Sequence, residues 1–383
     1  MHFEFSTTGR IIFGNGTIKQ LPDYANLLGK NTLIICGKNT GRIDFVVNNL
    51  NGAGVKTSLF SVPTEPAIPL IQQGIHEARS KGCDLIIGLG GGSVIDAGKA
   101  IAAMMTNDGE LADYLEVIGA GKSIARAPAP YIAIPTTAGT GAEATSNAVL
   151  ASAEHKVKVS MRSPLMYPRL AIVDPELTYS IPPVITASTG LDALTQLIES
   201  FVSNKANPLT DGICIEGLKR AGRSLYIAYK SGDKSAREEM CIASLFSGLA
   251  LANAKLGAVH GLAAPLGGML SVRHGMICAR LLPIVVEMNV NLLIKNDPFS
   301  DSLKRFAIVA QALTNNARAS AKDAVGWINN ICLEMKIPAL KEFGLKDSHI
   351  PEIVEQAKKS SSTKGNPVEL NDKELAQILR QAI

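Results

Sequence analysis

No CxxC pair joins the six cysteines of this chain (Cys36, Cys83, Cys214, Cys241, Cys278 and Cys332). Their scatter argues against a disulfide framework or zinc knuckle and for reduced thiols, most of them small buried hydrophobes. No run of five or six like charges occurs, and a net charge of +4 is small for 383 residues, so bulk electrostatics give no reason to invoke DNA, RNA or anionic lipid. A membrane-spanning run is also lacking. The most apolar stretch, Leu256 to Val272, is broken by His260, Pro265 and several glycines. The opening residues Met1 to Thr7 lack the charged-then-apolar order of a signal peptide. These absences lead us to expect a cytoplasmic, unprocessed protein with neither nucleic acid nor membrane as partner. What is present, 46% hydrophobic and 19% charged residues, suffices for two domains with a core each.

Up to about Asp174 short β-rich runs alternate with amphipathic stretches. Thr32–Cys36, Thr57–Phe60, Asp84–Gly88 and Tyr131–Ile134 read as buried strands, with helix-length segments between the first three. That alternation implies a mostly parallel sheet covered on both faces. Beyond Pro182-Pro183, Ala/Leu/Ile-rich segments with helical spacing run through 186–203, 208–229, 235–255 and 301–314, with no β-alternation of comparable strength. We therefore expect an α/β half over residues 1–181 and an all-helical half over 182–383, with one loose tract at Lys358–Gly365.

The predicted strand Asp84–Gly88 runs into Leu89-Gly90-Gly91-Gly92-Ser93, after which apolar spacing turns helical. A strand feeding a glycine turn that opens a helix suits a pyrophosphate, because the backbone can approach closely and unpaired N–H groups face the anion. Neither the Rossmann fingerprint nor a P-loop is present, and three glycines also suit a plain tight turn. A second loop, Pro135-Thr136-Thr137-Ala138-Gly139-Thr140-Gly141, follows the strand Tyr131–Ile134. Ligands of open α/β sheets sit at strand C-termini, so two such loops suggest one extended phosphate-bearing ligand, naturally a dinucleotide.

In the helical half, Asp192 and Gln196 stand four residues apart and share a helix face. His260 and His274 lie in the most apolar, glycine-rich text of a chain with six histidines. Each alone reads as a satisfied core histidine. Together with Asp192 they form a set suited to Zn²⁺ or Fe²⁺ with positions left open.

Taken in order and spacing, Gly90–Lys99, Pro135–Gly141, Asp174-Pro175-Glu176-Leu177, Gly190–Thr195, and His260 with His274-Gly275 resemble the iron-containing (group III) alcohol dehydrogenases, a likeness that covers nearly the whole chain. The resemblance implies an α/β Rossmann-like nucleotide-binding N-terminal domain and an all-α C-terminal domain. It further implies NAD(P) in the cleft between them, Fe²⁺ or Zn²⁺, and a homodimer or higher homo-oligomer. Carried over residue by residue, it makes Gly91, Gly92 and Ser93 pyrophosphate contacts and lets Thr136, Thr137 and Thr140 line the rest of the cofactor. Lys158 and Leu177 become further cofactor contacts, and Asp192, His260 and His274 the metal ligands through which catalysis runs.

Two departures stand out. Gln196 occupies the place of a ligand histidine, and Ala264 that of a second common histidine, so that a neutral amide or a three-ligand site takes over the first role and water or the cofactor ribose carries protons in the second. The activity so implied is reversible hydride transfer between nicotinamide and a small alcohol or carbonyl compound, the metal serving as Lewis acid. Its alternatives are a metal-independent reductase of the maleylacetate reductase type and a dehydroquinate-synthase-like lyase. Gly37 stands where NAD-preferring relatives place an aspartate, and with Lys38 or Arg42 nearby it points to acceptance of NADPH. Lys255, Arg273 and Lys364 stand where relatives have neutral residues, and Ser362 where a residue tends to face substrate. This group points to an anionic or polar substrate.

Overall fold

The computed structural model describes residues 2–37, 40–155 and 157–383. Its strands are β1 (Ile11–Phe13), β2 (Asn31–Cys36), β3 (Lys56–Ser61), β4 (Leu85–Gly90), β5 (Tyr131–Pro135), β6 (Asn147–Ser152), β7 (Val157–Arg162) and β8 (Leu170–Val173). Helices α1 (Leu21–Leu28), α2 (Thr40–Gly52), α3 (Ile68–Ser80) and α4 (Gly92–Thr106) lie between the early strands. The helical half comprises α5 (Pro183–Val202), α6 (Pro208–Ser231), α7 (Lys234–Asn253), α8 (Ala258–Met269) and α9 (His274–Asn296). It continues through α10 (Asp301–Thr314), α11 (Ala321–Glu334), α12 (Ile350–Lys359) and α13 (Asp372–Ala382). Two compact units result. One holds residues 6–137 and 141–179, the other residues 180–383 with Ala138–Thr140 and the residues up to Phe5.

In the first unit, six strands form one wholly parallel sheet in the order β1-β8-β5-β4-β2-β3, and β6 and β7 pair apart from it as an antiparallel hairpin. Side chains alternate along each strand, so both faces need cover. Leu33, Ile35 and Ile86 pack with Ile71 and Ile75 of α3 and Ile95 and Ile101 of α4. On the other face, Ile34, Leu85, Ile87 and Ile132 pack with Leu21 and Ala25 of α1 and Ile43, Val46 and Leu50 of α2. This is the Rossmann-like α/β arrangement expected. The four predicted strands match β2 to β5, whereas the three-residue β1, β8 and the β6–β7 hairpin were not foreseen, being too short or too polar to carry a clear period.

Strand order reverses between β2 and β4, because β3 lies to one side of β2 while β4 and β5 extend to the other. The loops after β2 and β4 therefore flank a topological switch point, the place where open α/β sheets bind ligands. Close fit of α4 on the sheet depends on two glycines. Tyr131 lies against Gly88 and Gly98 and donates from its hydroxyl to the Ile95 carbonyl (3.0 Å), and a Cβ at Gly98 would stand 2.5 Å from the ring.

The second unit holds no strand among the described residues. Pro183, with its fixed φ, opens α5, and the Asn207 side chain accepts from Leu209 and Thr210 N–H at the start of α6. Among the described residues α9 is the one helix long and apolar enough to cross a membrane, yet Ile277, Leu281, Leu282 and Val285 are buried in this unit's core. The Lys358–Gly365 tract is not loose as expected. Lys358 and Lys359 end α12, Thr363 donates to the Ala357 carbonyl (2.6 Å), and Gly365 is buried. Its serines and lysines suggested a loose segment, but a carbonyl six residues back and a glycine contact, neither visible in composition, hold it.

Replacing Gly98 by alanine is expected to drive a methyl group into the Tyr131 ring and to cost about 1–3 kcal/mol, as overpacking does. Urea unfolding of the variant beside the parent measures it.

Candidate active site

One candidate region, in the α/β unit, is a pair of loops at the C-terminal ends of β4 and β5. Gly90 pairs with Pro135 across the two strands, and Thr136 N–H donates to the Gly90 carbonyl (2.9 Å). The loops therefore lie side by side: a Cβ at Gly91 would come 3.3 Å from Thr137 Oγ1. Helix α4 opens at Gly92 and Ser93 with Gly91 at its N-cap, and no side chain caps it. Its first N–H groups are thus presented by glycine and serine rather than consumed locally, the arrangement that accommodates an anion. Gly37 follows β2 at the switch point, and apart from its chain neighbours no described residue lies within 4 Å of a Cβ built there.

Lys38 lies outside the described residues. Lys158 sits on β7, ion-paired with Glu65 (3.0 Å). Leu177 is buried in the sheet's core within a turn at Pro175–Thr178. Thr140 belongs with the helical unit, where neighbouring Gly139 abuts Thr189 of α5. Arg42 is half-buried on α2. Asp174, in the motif before Leu177, is structural: its carboxylate accepts from the N–H groups of Gly16, Ile18 and Glu176. Lys99, completing the first glycine motif, is wholly buried and holds Thr145 Oγ1 (2.8 Å) and Asp96 (3.3 Å).

A separate candidate region is built in the helical unit. Asp192 and Gln196 are both buried on α5, on one face as expected, and Glu199, seven residues beyond Asp192, shares it. His260 is the third residue of α8 and His274 the first of α9. The structure brings Asp192, His260 and His274 together and adds Cys278 of α9. One ligand atom from each of the four lies within 4.8 Å of all the others. Asp192 Oδ1 is 3.4 Å from His260 Nε2 and 3.9 Å from His274 Nε2, and Cys278 Sγ is 3.8 Å and 3.5 Å from the same two nitrogens. The cysteine's reading as a small buried hydrophobe is incomplete: it is fully buried, but four residues after His274 it meets the same cluster.

Glu199 orients this cluster. Its carboxylate accepts from Val259 N–H (2.7 Å) and His260 N–H (3.4 Å), and it lies 2.6 Å from His260 Nδ1. Ala258 N–H donates to Asn366 Oδ1 (3.2 Å). The N-terminal N–H groups of a buried helix need partners, and here α5 and the C-terminal segment supply them. With Nδ1 held by a carboxylate, Nε2 of His260 faces Asp192 and Cys278. Asn366 in turn exchanges amide hydrogen bonds with Asn289 of α9 (3.1 and 2.8 Å).

Electrostatically the cluster asks for positive charge. Burial works against the Asp192 carboxylate, but the imidazoles of His260 and His274 beside it hold its pKa below the usual range. Burial likewise opposes the imidazolium of His260, yet Cys278, Asp192 and Glu199 together raise its pKa well above the ordinary histidine value. Asp192 Oδ1 is buried without a hydrogen-bond partner, a costly state that a cation at the centre of the four donors would relieve. Gln196 is less free: Ser247 Oγ of α7 donates to its Oε1 (2.8 Å). His274 keeps about a third of its side chain exposed (34%) and marks the open side. Of the basic residues read as substrate contacts, Lys255, Arg273 and Lys364 are exposed, and Lys255 Cβ lies against Gly365. Ser362 is half-buried, its N–H donating to Ser360 Oγ (3.2 Å).

Sequence reasoning missed Glu199, Cys278 and Ser247. Helical spacing from Asp192 and from His274 could have found the first two. Ser247 carries no such signal, since only the packing of α7 on α5 brings it there.

Comparison with known proteins places these features in context. Residues 8–175 match the family model described as iron-containing alcohol dehydrogenase, and residues 186–383 the one described as Fe-containing alcohol dehydrogenase family, C-terminal. A 1,3-propanediol dehydrogenase of Klebsiella pneumoniae is 33% identical over 99% of this chain and 98% of its own length. A crystal structure of a 1,3-propanediol oxidoreductase superposes with a TM-score of 0.92 at 33% identity, covering 100% of both chains. That of sulfoacetaldehyde reductase from Bifidobacterium kashiwanohense in complex with NAD+ gives 0.88 at 28% identity, over 99% of this chain and 98% of that one.

Glu199→Ala is expected to leave His260 Nδ1 and the Val259 N–H unpaired in the core, lowering unfolding free energy by about 3 kcal/mol. Denaturant unfolding, with Glu199→Gln recovering part of the loss, checks it.

Proposed function

The chain belongs to the iron-containing alcohol dehydrogenase family, and on that premise we propose that Asp192, His260 and His274 hold the divalent metal of an NAD(P)-dependent enzyme that interconverts a small alcohol and its carbonyl compound. That the protein is an oxidoreductase acting on CH–OH groups follows from the family. The observation that carries the residue assignment is the convergence of these donors on a buried Asp192 oxygen with no hydrogen-bond partner. When bound there, a divalent ion would polarise the carbonyl for reduction and lower the alcohol pKa for oxidation. Glu199 keeps the His260 tautomer fixed, so that Nε2 remains available as a donor. The convergence of donors speaks against the metal-independent alternative, and the likeness to relatives named as alcohol dehydrogenases against the lyase one. Fe²⁺, the ion in the family's name, or Zn²⁺ suits the nitrogen-rich set.

For the dinucleotide, the reading rests on the adjacent loops. Gly91, Gly92 and Ser93 at the uncapped N-terminus of α4 take the pyrophosphate, with Thr136, Thr137 and Thr140 as further contacts and Lys158 and Leu177 as more distant ones. The open space beside Gly37 leaves room for a ribose 2′-phosphate without an opposing carboxylate, which supports use of NADPH as well as NADH; Lys38 and Arg42 are its proposed partners. Lys255, Arg273, Ser362 and Lys364 support an anionic or polar substrate, in keeping with a structural relative named for the anionic sulfoacetaldehyde. Six buried free cysteines support a reducing, cytoplasmic location, and the family resemblance supports a homodimer.

Two experiments test this reading. His260→Ala should lose metal by elemental analysis and fall in kcat by orders of magnitude while keeping its circular dichroism. Full wild-type activity after exhaustive chelation, with no metal detected, would overturn the metal assignment. The second follows NADH and NADPH oxidation against paired neutral and carboxylate-bearing aldehydes. Gly37→Asp should shift preference toward NADH by about tenfold, the effect of roughly 1.4 kcal/mol of repulsion at the 2′-phosphate. Lys255→Met should reduce kcat/KM for the charged aldehyde alone. An unchanged ratio in either variant refutes the corresponding assignment.

A further inference from the structure

Gln196 and Cys278 both stand beside the three proposed ligands, and they differ in what they can offer. Gln196 is a neutral amide whose oxygen already accepts from Ser247 Oγ at 2.8 Å, and that hydroxyl is anchored on α7. Cys278 is fully buried, lies one helical turn beyond His274 on the same helix, and places its sulfur 3.5 Å from His274 Nε2 and 3.8 Å from His260 Nε2. The other five cysteines belong to no cluster of metal-type donors among the described residues. We propose that Cys278 supplies the fourth protein ligand as a thiolate, giving an Asp192–His260–His274–Cys278 set in which Gln196 takes no part. This deepens the metal assignment above and rests on it.

Three observations carry the proposal together. The four donors are mutually within 4.8 Å, so one ion reaches all of them with modest side-chain adjustment. The sulfur lies within hydrogen-bonding range of the two imidazole nitrogens proposed as ligands, so it faces the point on which they converge. A thiolate is a far stronger donor than an amide oxygen and selects Zn²⁺ or Fe²⁺ over hard-ligand ions. In forming the bond the thiol proton leaves to solvent, the sulfur lone pair goes to the metal, and no oxidation state changes. With Asp192 and Cys278 both anionic, the charge of a divalent ion is balanced within the ligand shell. This site is then a weaker Lewis acid than one built from aspartate and three histidines, with a ligand that peroxide can remove.

The test uses the full-length protein loaded with Co²⁺ and with Zn²⁺. Co²⁺ bound at one per chain should show a near-ultraviolet thiolate-to-cobalt charge-transfer band. Cys278→Ser should abolish that band, and Gln196→Ala should leave it intact. X-ray absorption on the unmutated Zn²⁺ protein, which needs no variant to fold, should find one sulfur scatterer at about 2.3 Å beside nitrogen and oxygen. Co²⁺ bound at one per chain with no such band, or a zinc shell of nitrogen and oxygen alone, overturns the cysteine ligation and leaves the three-residue assignment standing. Failure to bind either ion overturns both.

Discussion

The carboxylate of Glu199 is the interaction on which the helical unit's chemistry depends. It is buried, it accepts from the second and third N–H groups of α8, and it lies against the ring of the histidine that α8 carries. A helix entering a core at its N-terminus brings donors that lose water and need acceptors. Satisfying them from α5 fixes where α8 begins, and with it where His260 points. One carboxylate therefore settles a folding requirement and a chemical one together. Fold and site are coupled here, and a change at Glu199 disturbs both.

Small residues let the remaining elements close on that centre. A Cβ at Gly261 would fall 2.0 Å from Thr363 Oγ1, and one at Gly275 2.3 Å from the Ser188 carbonyl. The first lets the C-terminal segment cross α8, bringing Asn366 to the helix's first N–H; the second seats the start of α9, and so His274, against α5. The glycines that make the region look featureless in sequence are what allow helices carrying single donors to approach within ligand distance. Donors mounted on packed helices rather than loops keep their separation, which suits a site that takes an ion with side-chain adjustment alone.

The parallel sheet does comparable work for the other ligand. Both its faces are buried, so β4 and β5 are nearly continuous apolar runs whose polar opportunity lies at their ends. Pairing Gly90 with Pro135 puts the two loops side by side, and the glycine N-cap leaves the dipole of α4 facing outward. Lys99 and Asp174, although parts of the same motifs, spend their polar atoms on loop anchoring.

Periodicity and turn chemistry, which are local, made β2 to β5, α5 to α7, α10 and the two glycine loops readable before any coordinates. Motif order was enough to single out Asp192, His260 and His274. What sequence alone could not supply is which groups compete for one point in space. Cys278 looked like a core thiol because composition assigns burial and not neighbours. For Gln196, read as an amide ligand or as standing outside a three-ligand site, only α7 packing on α5 reveals Ser247 at its oxygen. Helix α8 was hidden by three glycines and a proline that lower helix propensity but permit close packing, a balance decided by burial, and α9 carries Pro283 within an apolar run that shows no clear face. The short strands β1 and β8 exist because a neighbouring strand offers its backbone, and the Lys358–Gly365 tract is ordered by contacts with α12 and with residues a hundred positions earlier. Motifs and periods in the chain singled out three candidate donors and much of the order of the elements. The tertiary structure decided which donors meet, because a ligand set is a matter of distances, and distances between segments far apart in the chain are fixed only when their helices pack.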